Sequence, residues 1–125
     1  MINRLGIGKT IERLISSIIN RFDDGATYFL IDGRFAPSFH RLSRQIIGGD
    51  LQHYSIAAAS ILAKHARDLV MQKMAVRYDS YGFVTNVGYP SPEHLDALDR
   101  FGICPVHRMS FRPIAEIAEQ KRLWE

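Results

Sequence analysis

The alternation of apolar and polar positions divides the chain into a few clear segments. Ile11, Leu14, Ile15, Ile18 and Ile19 recur at the spacing of one helix face, with Glu12, Arg13, Ser16, Ser17 and Asn20 opposite. Asp23-Asp24-Gly25 ends that helix. Residues 26–31 (ATYFLI) form a short, nearly continuous apolar run ending at Asp32-Gly33, which predicts a strand buried on both faces. Residues 34–43 read as loop, with Pro37 as the breaker, and Arg44 to Ile47 as a second short strand closed by Gly48-Gly49. From Ser55 to Arg77 an alanine-rich helix is predicted, with Ile56, Ala59, Ala63, Ala66 and Val70 along one packing side. Residues 79–92 read as loop. Ser91 then caps a helix that has Pro92 at its first position and ends near Gly102. Ile114, Ile117, Ala118 and Lys121 mark a last helix from Arg112 to about Leu123. The order is that of a mixed α/β chain, but two strands are few, since sheets usually have about four to six.

Composition narrows the class. At 125 residues, the chain is expected to be a single domain over 1–125. Its 46% apolar and 23% charged residues are ordinary for a globular protein. No apolar run approaches the roughly 18 residues needed to span a bilayer, and no signal peptide opens the chain. A single cysteine, Cys104, excludes an internal disulfide framework and fits a reducing, cytoplasmic compartment. The net charge of +3 is too small to diagnose nucleic-acid binding. Most of the basic residues are arginine, which suits planar phosphate contacts.

Few motifs carry chemistry on their own. Gly8-Lys9-Thr10 ends like a phosphate-binding loop, but position 3 is asparagine rather than glycine and no strand precedes it, so this is a helix start. Asp32 ends the apolar strand, and Asp50 follows Gly48-Gly49 ahead of the long helix. Carboxylates gathered at strand and helix ends can hold a hard divalent cation; they can equally make a turn and a cap. His40, His53, His65, His94 and His107 lack paired metal-ligand spacing. Tyr78, Tyr81, Phe83 and Tyr89 either stack on sugars or bases, or plug a core edge. Met71 and Met74 read as core packing. Arg108 and Arg112 flank Phe111, where they contact phosphate or shield a helix face.

Taken in order, several segments resemble ribonuclease HII, the type 2 ribonuclease H family. The strongest is Ser55-Ile56-Ala57-Ala58-Ala59-Ser60-Ile61-Leu62-Ala63-Lys64, followed by Arg67-Asp68. Tyr81-Gly82-Phe83, Gly88-Tyr89-Pro90 with Glu93-His94-Leu95, and His107-Arg108 with Ser110-Phe111 follow at family spacing. Ile31-Asp32-Gly33 and Gly49-Asp50 stand at the family's "VDG" and "KGD" elements, so the resemblance covers about residues 2–114. It implies a ribonuclease H-like fold, a mixed sheet flanked by helices. It also implies a metal-dependent endonuclease that hydrolyses RNA in RNA–DNA hybrids and at ribonucleotides embedded in duplex DNA. Four carboxylates would hold two Mg²⁺ or Mn²⁺ ions, with Asp32 and Asp50 as the third and fourth. Tyr89 takes the place of the tyrosine that packs on the ribonucleotide sugar and senses its 2′-hydroxyl. Lys64, Ser55, Ser60 and Arg108 take substrate-binding positions near phosphate.

Departures from the pattern are equally informative. The family begins with a strand carrying "DEAGRG", which supplies the other two carboxylates and a backbone-gripping loop, and no such segment stands in these residues. The chain is therefore expected to be the C-terminal portion of such a domain, with the first strands missing and activity impaired. The lysine of "KGD" is Gly48, the basic pair of "HKGYP" is Asn86-Val87, and one arginine of "HRRSF" is Met109. Losing these basic positions would weaken phosphate contacts. The alternative is a non-catalytic nucleic-acid-binding or assembly module, its sheet edge covered by self-association or by a partner carrying the missing strands.

Overall fold

The computed structural model describes residues 1–35 and 39–122. Pro37 and Leu123, named above as a loop breaker and a helix end, lie outside the described residues. The chain divides into two compact units, Met1–Ala63 and Lys64–Glu125. No described helix is long and apolar enough to cross a membrane.

The first unit opens with a helical turn, α1 (Ile2–Leu5), and the amphipathic helix α2 (Ile7–Phe22). Gly6, at φ 77°, separates them, and its carbonyl accepts the Thr10 hydroxyl at 2.8 Å. The Gly-Lys-Thr segment is thus the first turn of a helix, as its surroundings predict. After α2 the Asp24 carboxylate accepts the backbone N–H groups of Ala26 and Thr27 at 3.0 and 2.7 Å. These bonds, with the Thr27 side chain foremost, pull its pKa down to about 2. They also spend the first residues of the apolar run on a turn, so strand β1 is Phe29–Asp32 rather than residues 26–31. Strand β2 is Ser43–Ile46 and pairs with β1 in parallel, Phe29 opposite Ser43 through Asp32 opposite Ile46.

Burial of β1 is narrower than its composition predicts. Residues paired across a parallel ladder share a face, so Ile31 and Ile46 point to opposite sides. Each is buried, but Leu30 is 37% exposed and Tyr28 56%. Two short strands do not supply enough surface to cover the whole run, and no third strand joins them among the described residues. The long helix α3 (Tyr54–Arg77) follows. Of its predicted packing side only Ile56 is buried; Ala59, Ala63, Ala66 and Val70 are exposed.

The second unit, from Lys64, is organised around one contiguous core. Ala75, Tyr81, Phe83, Ala97, Leu98 and Ile114 are buried together, with Met71, Met74, Tyr78, Ile103 and Ile117 packed on them. The segment expected to be loop after α3 is instead a tight turn at Asp79–Tyr81 and a single helical turn, α4 (Phe83–Asn86). Gly82 between them takes φ 63°, the left-handed conformation glycine adopts without penalty. That turn lets Tyr81 and Phe83 both enter the core. Helix α5 (Pro92–Phe101) has the expected N-cap, with the Ser91 hydroxyl accepting the His94 N–H. Helix α6 (Arg112–Arg122) closes the described chain.

Candidate functional site

Asp32 and Asp50 come together because both strands end at the same level. Asp32 is the last residue of β1 and pairs with Ile46, the last residue of β2. The Gly33 N–H continues the ladder to the Ile46 carbonyl at 2.8 Å, so Asp32 is not engaged in a turn with Gly33. Its Oδ1 instead accepts the Gly49 N–H at 2.9 Å, which draws the Gly49–Leu51 turn over the strand end. Asp50 sits in that turn. It is exposed, and its carboxylate has no hydrogen-bond or ion-pair partner among the described residues. The Gln52 and His53 N–H groups bond to the Gly49 carbonyl, so Asp50 does not serve as a helix cap there. A Cβ at position 49 would come within 2.6 Å of Ile56 Cδ1 and 3.4 Å of Asp32 Oδ1, so a larger residue there requires the Ile56 side chain to move.

Two exposed carboxylates held one residue apart in this way have the chemistry of a hard-cation site. Mg²⁺ keeps several waters and is commonly bound by one or two carboxylates plus substrate phosphate. Asp32 and Asp50 are the two side chains at this strand end whose chemistry suits such an ion. They do not fit two such ions, because no third His, Cys, Asp or Glu side chain is grouped with them among the described residues.

Tyr89 lies in the second unit on a short, firmly held turn. The buried Asn86 side chain uses both ends of its amide: Nδ2 donates to the Tyr81 carbonyl at 2.7 Å, and Oδ1 accepts the Gly88 N–H at 2.8 Å. The Tyr89 N–H donates to the Asn86 carbonyl at 2.8 Å. The Tyr89 ring remains 62% exposed, whereas Tyr81 and Phe83 have become core. Arg67 of α3 lies over the ring, its Cζ 4.8 Å from the centroid, and its Nη2 donates to the Val87 carbonyl at 2.6 Å. Asn86 and Arg67 were not singled out by sequence as parts of this turn. The Asn-Val-Gly spacing is a turn signature that could have found the first; nothing local announces the second.

The other expected substrate contacts differ in setting. Lys64 is exposed and paired with Asp68, Nζ to Oδ2 2.6 Å, a contact that lowers the Asp68 pKa. Ser60 lies one helical turn before Lys64 on α3; Ser55, five residues earlier still, is off that row, and both serines are exposed. Arg108 is exposed and covers Phe111, its Cζ 5.2 Å from the ring. Arg112 reaches Glu116 at 3.9 Å.

The histidines contain one arrangement that spacing did not reveal. His94, 5% exposed, donates from Nδ1 to the Tyr81 carbonyl at 3.0 Å. Its Nε2 lies 3.3 Å from His107 Nε2, and His107 Nδ1 accepts the Cys104 N–H at 3.0 Å. The Tyr81 carbonyl can only accept and the Cys104 N–H can only donate. Two neutral rings sharing one proton between their Nε2 atoms satisfy these contacts, whereas the 3.3 Å approach of His107 Nδ1 to the Cys104 carbonyl is one that only a protonated Nδ1 would use. Burial holds the His107 pKa below its usual value.

Comparison with known proteins extends this geometry. The family model described as Ribonuclease HII matches residues 2–114. A Ribonuclease HII of Ruegeria sp. is 42% identical over 112 residues, covering 89% of this chain and 47% of that protein. One from Parvibaculum lavamentivorans is 51% identical over 89 residues, 70% of this chain and 33% of the relative. One from Thermosynechococcus vestitus is 52% identical over 84 residues, 66% and 39%. The chain thus spans at most about half the length of these relatives. With the match running through Asp32, Asp50 and Tyr89 alike, the chain belongs to the ribonuclease HII family.

Proposed function

We propose that this chain carries part of the site of an endoribonuclease that cuts RNA in RNA–DNA hybrids and at single ribonucleotides within duplex DNA. The observation that supports this best is the juxtaposition of Asp32 and Asp50 through the Gly49 N–H, at the carboxyl ends of two parallel strands. Asp32 and Asp50 would hold Mg²⁺ or Mn²⁺. When bound, such ions activate water and stabilise the leaving 3′-oxygen in phosphodiester hydrolysis. Tyr89 presents an exposed ring to the ribose, where a 2′-hydroxyl distinguishes RNA from DNA. Lys64, Ser55, Ser60 and Arg108 serve as phosphate neighbours. Lys64 must then exchange Asp68 for phosphate, a modest cost for an exposed pair.

Two carboxylates leave the two-ion site half built, so the chain by itself cleaves poorly or not at all. A duplex containing one ribonucleotide, incubated with the chain and Mg²⁺ or Mn²⁺, tests this. Expected is no cleavage above a metal-only control. Robust cleavage abolished by Asp32→Asn would overturn the impairment while supporting the site.

A second reading, an assembly module, is favoured by a separate observation. Ile7, Ile11, Leu14, Ile18 and Phe22 make an exposed apolar stripe along α2, and β1 and β2 each have an outer edge unpaired among the described residues. Such surfaces are normally covered, here by self-association or by a polypeptide supplying the further strands. A well-folded monomer in sedimentation, with no partner bound, would rule it out.

A further inference from the structure

The turn that carries Tyr89 contains an unusual strain. Val87 has φ 41°, and it is the one non-glycine residue with positive φ among those described. A β-branched side chain strongly disfavours this left-handed conformation, so the surroundings must hold it there. Two side chains do so. Asn86 ties the turn from the core side, through Tyr81 and Gly88. Arg67 ties it from α3, through the carbonyl of the strained Val87 itself.

Arg67 also lies against the Tyr89 ring. A planar guanidinium can do both at once, one N–H donating in plane to a carbonyl while its face rests on an aromatic ring. A lysine in its place has a single compact ammonium and cannot serve both contacts. Arg67 approaches Asp68 Oδ1 only at 3.7 Å, while Asp68 is engaged by Lys64 at 2.6 Å, so Arg67's short polar contact is the one to Val87.

We propose that Arg67 is a positioning residue for ribonucleotide recognition: it fixes the strained Val87-Gly88 turn and stacks on one face of Tyr89, holding the ring ready for a ribose. This rests on the reading of Tyr89 as the sugar-contacting residue. Arg67 acts through Tyr89 and does not itself need to touch substrate. With the ring held in advance, binding does not have to freeze an exposed side chain, so the benefit appears as selectivity for the ribonucleotide.

The test uses the full chain and two labelled duplexes in Mg²⁺, identical except that one carries a single ribonucleotide. Binding of each is followed by fluorescence anisotropy. Arg67→Lys keeps the charge and is expected to lower the ribonucleotide preference about tenfold, the size of losing one stacked and one hydrogen-bonded contact. Affinity for the all-DNA duplex should change little. In the free chain, nuclear magnetic resonance should show the Arg67 Nε–H shifted upfield by the Tyr89 ring current. That shift should vanish in Tyr89→Leu, with the amide signals of the Leu98 core unchanged. Wild-type preference retained in Arg67→Lys, or an Arg67 Nε–H unaffected by Tyr89→Leu, would overturn the proposal. A wild-type chain without any ribonucleotide preference would instead overturn the reading of Tyr89 on which it rests.

Discussion

The two units of this chain solve the problem of packing very differently. In the second, helices α3, α5 and α6 and the aromatic turn between them enclose one shared core, with Leu98 only 2% exposed at its centre. Most of its buried polar groups are partnered: the Tyr81 hydroxyl donates to the Gly102 carbonyl at 3.0 Å, and the Asn86 amide and both His94 nitrogens have partners. Asp68 Oδ1, 3.7 Å from Arg67, is the one buried side-chain oxygen or nitrogen without a hydrogen bond among the described residues. The first unit buries Ile19, Ile31, Ile46 and Ile56, each from a different element, and leaves more large apolar residues exposed than covered. Of the two candidate cation ligands, Asp32 is held by one hydrogen bond, from the Gly49 N–H, and Asp50 by none among the described residues. Stability is thus concentrated away from the carboxylates, and their geometry depends on a thinly packed support.

That contrast can be broken most forcefully at Leu98. Leu98→Ala should cost about 3 kcal/mol, the usual scale for emptying a well-packed leucine site. Amide exchange should then accelerate at Ala75, Phe83 and Ala97. Retained protection there would mean that the second unit has no shared core.

A somewhat smaller effect is expected at the carboxylate support. Gly49→Ala forces the Ile56 terminal methyl aside and crowds Asp32 and Ile46, an overpacking cost of about 2 kcal/mol. Faster exchange of the Gly33 amide, which bonds to Ile46, should report it. A variant as stable as the parent would show that Ile56 has room to move.

The histidine pair makes the second unit sensitive to acid. Burial of His107, with His94 beside it, disfavours a charge on its ring more than the Cys104 carbonyl near Nδ1 favours one. The groups packed on the rings, Tyr81, Phe83 and Cys104, include no carboxylate to offset a new charge. Because the His107 pKa is lowered in the fold, the unfolded chain binds protons first as pH falls. The contribution is complete above about 6.5, the ordinary histidine value, and is lost below it, down to the lowered folded value. The urea midpoint should therefore drop between pH 7 and pH 5, and less so in His107→Gln. A midpoint independent of pH over that range would contradict the pairing.

The smallest effect on stability is expected along α2. Leu14→Gln with Ile18→Gln removes exposed apolar surface and should shift folding free energy by no more than about 0.5 kcal/mol. Any self-association seen in sedimentation should decrease. A large loss of stability would mean that the stripe is covered in solution.

Much of this organisation is legible in the sequence, where local chemistry decides it. The capping serine of α5 and the glycine stops act through their own neighbours, so α2, α3, α5 and α6 were all readable. The two strands were readable as strands, but their burial was not, because coverage depends on how much sheet surrounds them. The same reason exposes Ala59, Ala63 and Ala66, whose small side chains promised a packed face. The turn at residues 79–86 was hidden because glycine punctuation says loop, while burial of Tyr81 and Phe83 makes it helical. Spacing alone left Asp32 and Asp50 as either turn-and-cap residues or cation ligands. The Gly49 hydrogen bond, seventeen residues from Asp32, is a tertiary contact that spacing could not supply. Arg67 and Tyr89, and His94 and His107, meet in the same non-local way.

The claim on which the functional reading turns is that Asp32 and Asp50 act as one cation site. Titrating the chain with Mn²⁺ and recording amide resonances tests it directly, because the ion broadens signals near where it binds. The Gly33, Gly49, Asp50 and Leu51 amides should broaden first, and Asp32→Asn should abolish that selectivity. Broadening centred elsewhere, or unchanged by Asp32→Asn, would contradict it.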